Sequence, residues 1–114
     1  MLRYYHNPRC SKSREGLQLL QERGAELQVI DYLKTPPSAE ELRHILALLG
    51  ISARELLRSK EEEYQALGLA DSSLGEEALI AAMLAHPRLI ERPIAVGDTA
   101  AAIGRPPENL LKLL

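Results

Sequence analysis

Cys10 is the only cysteine in the 114-residue chain, and its neighbours suggest a setting in which a thiol is reactive. A short apolar run, residues 2–5, precedes it, and a stretch of helical character follows it. A strand, a tight loop and a helix in that order would place the sulfur at a helix N-terminus, where unpaired backbone N–H groups favour negative charge. A thiol in such a place can have a pKa of about 3.5–7.5 instead of about 8.5. Cys10 is therefore a candidate nucleophile at neutral pH.

A lone cysteine is also often a buried structural residue, and this alternative applies to Cys10. The basic neighbours Arg9, Lys12 and Arg14 favour the reactive interpretation, because nearby cations stabilise a thiolate. Since the chain has no second cysteine, the thiol cannot resolve its own adduct. Any redox cycle at Cys10 would need a thiol from outside the chain.

Two polar residues near Cys10 could support a thiolate. His6 lies four positions before the cysteine, and Ser13 lies three positions after it, one turn into the predicted helix. Either side chain could hydrogen-bond the sulfur. The alternatives are an ordinary loop histidine and an ordinary first-turn serine. The three histidines of the chain show no metal-ligand spacing, so we expect no metal site.

Any oxyanion bound beside Cys10 would have to be held by arginines from distant parts of the chain. Tyrosine phosphatases use a Cys-x5-Arg motif, but Gly16 stands six positions after Cys10. The candidates are Arg58, Arg92 and Arg105, which lie at the ends of predicted elements. A planar guanidinium suits a tetrahedral oxyanion. The alternative for each of them is a solvated surface side chain.

The predicted elements follow the order β-α-β, a helical block, and β-β-α. The predicted strands are residues 2–5, 27–32, 93–96 and 100–103. Helices are predicted over residues 11–23, after the capping boxes that begin at Ser38 and Ser52, and over residues 60–67, 76–85 and 108–114. We expect an α/β fold with a mixed four-stranded sheet, in a single domain over residues 1–114 with a helical insertion at about 38–86.

Composition limits the possible partners and compartments. The formal net charge is −2, which does not favour nucleic-acid binding. No apolar run approaches the roughly 20 residues that span a bilayer, and the N-terminus does not resemble a signal peptide. With a single cysteine, a disulfide framework is excluded, so we expect a reducing, cytoplasmic location and neither a nucleic-acid nor a membrane partner.

Several segments together resemble one known family. The segment around the cysteine is Tyr-His-Asn-Pro-Arg-Cys-Ser-Lys-Ser-Arg, residues 5–14. Further matching segments are residues 32–37, 50–58, 86–87, 91–94 and 104–107. In this order they resemble the glutaredoxin-linked arsenate reductases, the ArsC family, over nearly the whole chain. The Ser-Lys pair after the cysteine, in place of Gly-Thr, is similar to the chromosomal branch of that family.

The resemblance implies a thioredoxin-like fold with a helical insertion and gives roles to particular residues. Cys10 falls on the nucleophile, and His6 and Ser13 fall on residues that support the thiolate. The proline at position 93 falls where thioredoxin-like proteins have a cis-proline. Arsenate and its thiol adduct would be held by three arginines, Arg58, Arg92 and Arg105.

The resemblance also implies the reaction. Cys10 would attack arsenate, glutathione would attack the adduct as a co-substrate, and glutaredoxin would remove the glutathione as arsenite is released. No bound cofactor is expected. Two alternatives stay open: an Spx-like regulator, whose Cys-x-x-Cys switch would need a cysteine at Ser13, and a glutathione-dependent thiol oxidoreductase, which would not need three arginines.

Overall fold

The first strand, β1 (Leu2–His6), is an inner strand of a mixed four-stranded sheet. The computed structural model describes all 114 residues. β1 pairs in parallel with β2 (Leu27–Asp31) and antiparallel with β3 (Ile94–Val96), and β3 pairs antiparallel with β4 (Ala101–Ile103). The order is β2-β1-β3-β4, so the predicted α/β fold with a mixed sheet is confirmed.

The helix α1 (Ser11–Glu22) connects the two parallel strands, which cannot be joined by a tight turn. It ends before Gly24, whose φ of 75° is in the left-handed region that glycine tolerates best. α1 packs on β1 and on the C-terminal helix. The buried core of this part of the chain consists of Tyr4, Leu20, Ala95, Ala102 and Leu110.

The C-terminal helix differs in type from the expectation. It is a 3₁₀ helix over Pro107–Leu113 instead of an α-helix over residues 108–114. The Asn109 amide donates to the Pro106 carbonyl at 3.0 Å, and the Leu114 amide donates to the Leu111 carbonyl at 3.2 Å. These three-residue bonds, which follow two prolines without N–H groups, produce the tighter helix.

The chain divides into two units, residues 1–35 with 92–114, and residues 36–91. The second unit is helical. Its elements are α2 (Ala39–Leu49), α3 (Ala53–Leu56), α4 (Glu62–Ala66), α5 (Glu76–Ala85) and a 3₁₀ turn, Pro87–Leu89. α2 and α3 both pack on α5. The expected insertion, about 38–86, is contained in this unit, and its grouping with the sheet into one domain stays a prediction.

The serine half of each predicted capping box forms. Ser38 Oγ accepts from the Glu41 amide at 3.1 Å, and Ser52 Oγ accepts from the Glu55 amide at 3.3 Å. α2 then ends at Gly50, whose φ is 68°. These contacts satisfy helix-terminal groups that would otherwise lack partners, so the starts of α2 and α3 are determined locally. None of the helices has the length and apolar character required to cross a bilayer.

Candidate active site

A short turn after β1 holds the Cys10 backbone. Asn7 accepts two hydrogen bonds at 3.0 Å, one on Oδ1 from the Arg9 amide and one on its carbonyl from the Cys10 amide. Cys10 is the N-cap residue of α1, and its carbonyl accepts from the Arg14 amide at 3.1 Å, which begins the helix. The sulfur therefore lies at a helix N-terminus, as the sequence predicts.

Several donors surround the sulfur of Cys10. Partial burial raises the pKa of the thiol, but hydrogen bonds to sulfur from the Ser13 amide, the Arg92 side chain and the Lys12 amide lower it, as does the charge of Arg92. The net effect is a Cys10 pKa below the ordinary thiol value. Cys10 is therefore present as thiolate in a greater fraction of the molecules at neutral pH than an ordinary cysteine would be.

Two of the basic residues close to Cys10 in sequence, which were expected to stabilise its thiolate, have other partners. Arg14 Nη1 donates to the Pro8 carbonyl at 2.8 Å, and Lys12 Nζ pairs with Glu15 at 3.5 Å. The cation that lowers the pKa of the thiol is Arg92, which lies far along the chain. The expected direction of the shift is correct, but its main charged contribution comes from tertiary structure.

Arg92 and Arg105 converge on the cysteine because β3 and β4 are adjacent antiparallel strands. Arg92 stands just before β3, and Arg105 stands just after β4. Arg105 Nε donates to the Arg92 carbonyl at 2.8 Å, and its Nη2 lies 3.8 Å from Cys10 Sγ. The peptide bond between Arg92 and Pro93 is cis, as the family resemblance implies.

His6 and Ser13 are both buried. Burial lowers the pKa of His6, the charge of Asp31 raises it, and that of Arg14 lowers it further, for a net lowering. His6 Nδ1 and Ser13 Oγ are buried and have no hydrogen-bond partner. Ser13 acts on the sulfur through its backbone amide, and support of the thiolate by the two side chains stays a prediction.

Arg58 lies in the helical unit, beside two carboxylates. An antiparallel bridge between residues 57 and 90 brings it near Glu91, since the Arg58 amide donates to the Leu89 carbonyl at 2.7 Å. Its side chain is mostly buried and pairs with Glu61 at 3.3 Å and with Glu91 at 3.7 Å. The structure therefore gives Arg58 acidic partners, and its role as an oxyanion ligand stays a prediction.

The sequence did not single out Tyr4, which lies against the first turns of α1. Its hydroxyl donates to the Ser13 carbonyl at 2.6 Å and is fully buried. The only sequence signal is a tyrosine inside a short apolar strand. Such a position does not indicate where the hydroxyl finds its partner.

The described contacts define what the site can do chemically. It combines a thiol of lowered pKa, backbone amides at a helix N-terminus and two guanidinium groups. Amides and guanidinium groups both bind tetrahedral oxyanions, and a thiolate beside such an anion can attack its central atom.

Comparison with known proteins agrees with this arrangement. The family model described as the ArsC family matches residues 5–113. A protein of Escherichia coli K12 described as uncharacterized protein YfgD is 58% identical over 114 residues, which are 99% of this chain and 96% of that protein. A protein of Neisseria meningitidis named arsenate reductase is 47% identical over 99% of this chain and 97% of its own length.

A solved structure is similar over nearly the same extent. The structure described as arsenate reductase from Vibrio cholerae has a TM-score of 0.96 and 53% identity, and the match covers 99% of this chain and 97% of that one. This likeness, with the strand order, confirms the thioredoxin-like α/β fold.

Proposed function

Because the chain belongs to the ArsC family, we propose that it is an arsenate reductase in which Cys10 is the nucleophile. One observation carries the proposal: the sulfur of Cys10 receives hydrogen bonds from two backbone amides and from Arg92, and Arg105 lies 3.8 Å away. An anion that replaces part of this donor set would be bound with its central atom next to the sulfur.

The first step is a substitution at arsenic. The Cys10 thiolate forms a sulfur–arsenic bond, an arsenic–oxygen bond breaks, and the oxygen leaves as water after it takes up protons. Arsenic stays in the +5 state. Arg92 and Arg105 stabilise the negative charge of the remaining oxygens, because charge-assisted hydrogen bonds to an anion are stronger than neutral ones.

The reducing electrons come from thiols outside the chain, since Cys10 has no partner cysteine. Glutathione adds to arsenic as a second thiolate, and another oxygen leaves as water. A glutaredoxin thiolate then attacks the sulfur of the arsenic-bound glutathione and forms a mixed disulfide. The electron pair of the broken arsenic–sulfur bond stays on arsenic, which becomes +3, and water displaces Cys10 to release arsenite.

The proposal is tested by measuring arsenite production from arsenate by the purified protein with glutathione, glutaredoxin and glutathione reductase. NADPH consumption should follow arsenite release in equal amounts, and omission of glutathione or glutaredoxin should stop turnover. Cys10→Ser is the matched control, because it removes the sulfur and keeps the size of the side chain. Turnover at a comparable rate with thioredoxin as the sole reductant would contradict the assignment of the reductants.

An assay with a second substrate distinguishes a general thiol oxidoreductase from an arsenate reductase. Such an enzyme would remove glutathione from glutathionylated proteins without arsenate, and it would use Cys10 but not two oxyanion-binding arginines. We expect Arg105→Ala to reduce arsenate turnover much more than deglutathionylation. Deglutathionylation that is unchanged in Arg105→Ala, from a wild-type protein that does not reduce arsenate, would favour the thiol oxidoreductase.

A further inference from the structure

The hydroxyl of Tyr4 occupies an unusual place against the first turns of α1. It donates to the Ser13 carbonyl at 2.6 Å, and its oxygen also receives a hydrogen bond from the Leu17 amide. In a regular α-helix this carbonyl and this amide bond to each other, four residues apart. The phenol of β1 thus joins the two helical groups from outside the helix.

The chain makes room for the hydroxyl with a glycine. A Cβ placed on Gly16 would lie 2.5 Å from the Tyr4 oxygen and 2.8 Å from Leu110 Cδ1. Any larger residue at position 16 would push the phenol or the helix away. A glycine in the middle of α1 lowers the stability of the helix relative to alanine. The close approach of Tyr4 explains why glycine is present at this position.

Ser13 connects this contact to the reactive sulfur. Its carbonyl accepts from Tyr4, and its amide donates to Cys10 Sγ. The Ser13 hydroxyl is buried without a partner, so the backbone makes the described contacts of this residue. A movement of the first turn of α1 would change the distance between the Ser13 amide and the sulfur.

We propose that Tyr4 is a positioning residue, which fixes the first turn of α1 so that the Ser13 amide donates to the Cys10 thiolate. The contact from strand to helix sets the place of the nucleophile's main backbone donor. Without the hydroxyl, the Ser13 carbonyl loses its bond to β1, and the first turn of α1 is no longer held in place against the strand.

The phenol is suited to this task over the working pH range. Burial raises the pKa of Tyr4, and the negative charge of Cys10 raises it further, whereas the Leu17 amide lowers it. The net effect is a strong rise, so the hydroxyl stays protonated while Cys10 ionises. It can therefore donate to Ser13 in both states of the thiol.

The inference builds on the proposed function only in taking Cys10 as the nucleophile, and its test uses the thiol itself. We would measure the rate of Cys10 alkylation by iodoacetamide against pH for the wild-type protein and for Tyr4→Phe. The midpoint should rise by about 0.5 pH unit in the variant, a shift that corresponds to loss of part of one hydrogen bond. The rate at high pH should rise as well, because a thiolate of higher pKa is the stronger nucleophile.

Two further variants make the result specific. Tyr64→Phe, in the helical unit, is the matched control and should keep the wild-type midpoint. Gly16→Ala keeps the hydroxyl but displaces it, and should raise the midpoint in the same direction. All rates are compared at a temperature at which circular dichroism shows each variant to be folded.

A purely structural role of Tyr4 gives a different result. Thermal unfolding would then occur at lower temperature in Tyr4→Phe and Gly16→Ala, with the same alkylation midpoint as the wild type, and this outcome would overturn the inference. The alkylation assay contains no arsenate, so it is independent of the proposed function. If the wild-type protein fails to reduce arsenate but Tyr4→Phe still shifts the alkylation midpoint, the proposed function is contradicted and the positioning role of Tyr4 is supported.

Discussion

Arg105 Nη2 lies 3.8 Å from Cys10 Sγ, although 95 positions separate the two residues in the chain. The contact depends on the antiparallel pairing of β3 and β4, and on the hydrogen bond from Arg105 Nε to the Arg92 carbonyl. Two arginines are therefore fixed to each other before any ligand binds. Binding of an anion costs less when its donors are already in place.

The pKa of Cys10 should depend on Arg92. Hydrogen bonding and charge from Arg92 lower this pKa against the effect of burial. In Arg92→Ala we expect the midpoint of iodoacetamide alkylation to move to higher pH, so that less thiolate is present at pH 7. Arg43→Ala, which removes an exposed ion pair to Glu77, is the control. An unchanged midpoint in Arg92→Ala would contradict the described hydrogen bond.

Arg92 and Arg105 should both be needed for arsenate turnover. A charge-assisted hydrogen bond to an anion contributes about 1.5–3 kcal/mol, so each Arg→Ala change should reduce kcat/KM at least about tenfold. Lysine at either position should restore only part of the activity, because it keeps the charge without the planar fork of donors. The measurement is arsenite production at varied arsenate, with folding verified by circular dichroism.

The control for the arginine variants is again Arg43→Ala. Arg88 is less suitable, because it pairs at 3.2 Å with Glu61, which also pairs with Arg58. If Arg92→Ala and Arg105→Ala lose no more activity than Arg43→Ala, the assignment of these arginines to an oxyanion site is wrong.

Substitution of Arg58 should show whether this residue binds the oxyanion or has a structural role. If it binds arsenate, Arg58→Ala reduces kcat/KM by at least about tenfold, as expected for the other two arginines. The loss of its ion pairs with Glu61 and Glu91 should also lower stability, because the Arg58 side chain is mostly buried. Arsenite production and thermal unfolding are measured on the same samples. A lower unfolding temperature with unchanged kcat/KM would limit Arg58 to a structural role.

The stability of the fold should depend on pH through His6. Burial keeps the pKa of His6 below its ordinary value, although Asp31 opposes this. The unfolded chain therefore takes up this proton at higher pH than the folded chain. The contribution of neutral His6 to the free energy of unfolding is complete above the unfolded histidine pKa of about 6.5. This contribution is lost as the pH falls through the lower pKa of His6 in the folded protein.

In His6→Gln, the free energy of unfolding should consequently fall less between pH 7 and pH 5 than in the wild type. Urea unfolding at several pH values measures this difference. His44→Gln, at an exposed position of α2, is the matched control. Equal pH dependence in wild type and His6→Gln would show that the buried ring does not carry the effect.

Local sequence patterns are sufficient to predict the parts of the structure that depend on near neighbours. The capping boxes at Ser38 and Ser52 predicted the starts of two helices, and the bounds of α5 (Glu76–Ala85) match the prediction. The loop and helix around Cys10 likewise follow from adjacent residues. Caps and hydrophobic periodicity act within a few residues, so they can be read without knowing the fold.

Which groups contact the Cys10 sulfur depends instead on the tertiary structure. Lys12 and Arg14, which are close to Cys10 in sequence, bond elsewhere. Arg92 and Arg105 reach the sulfur because two short strands pair at the edge of the sheet. The place of the Tyr4 hydroxyl depends in the same way on how β1 lies against α1. Contacts between residues far apart in the chain require strand order and packing, which no local pattern encodes.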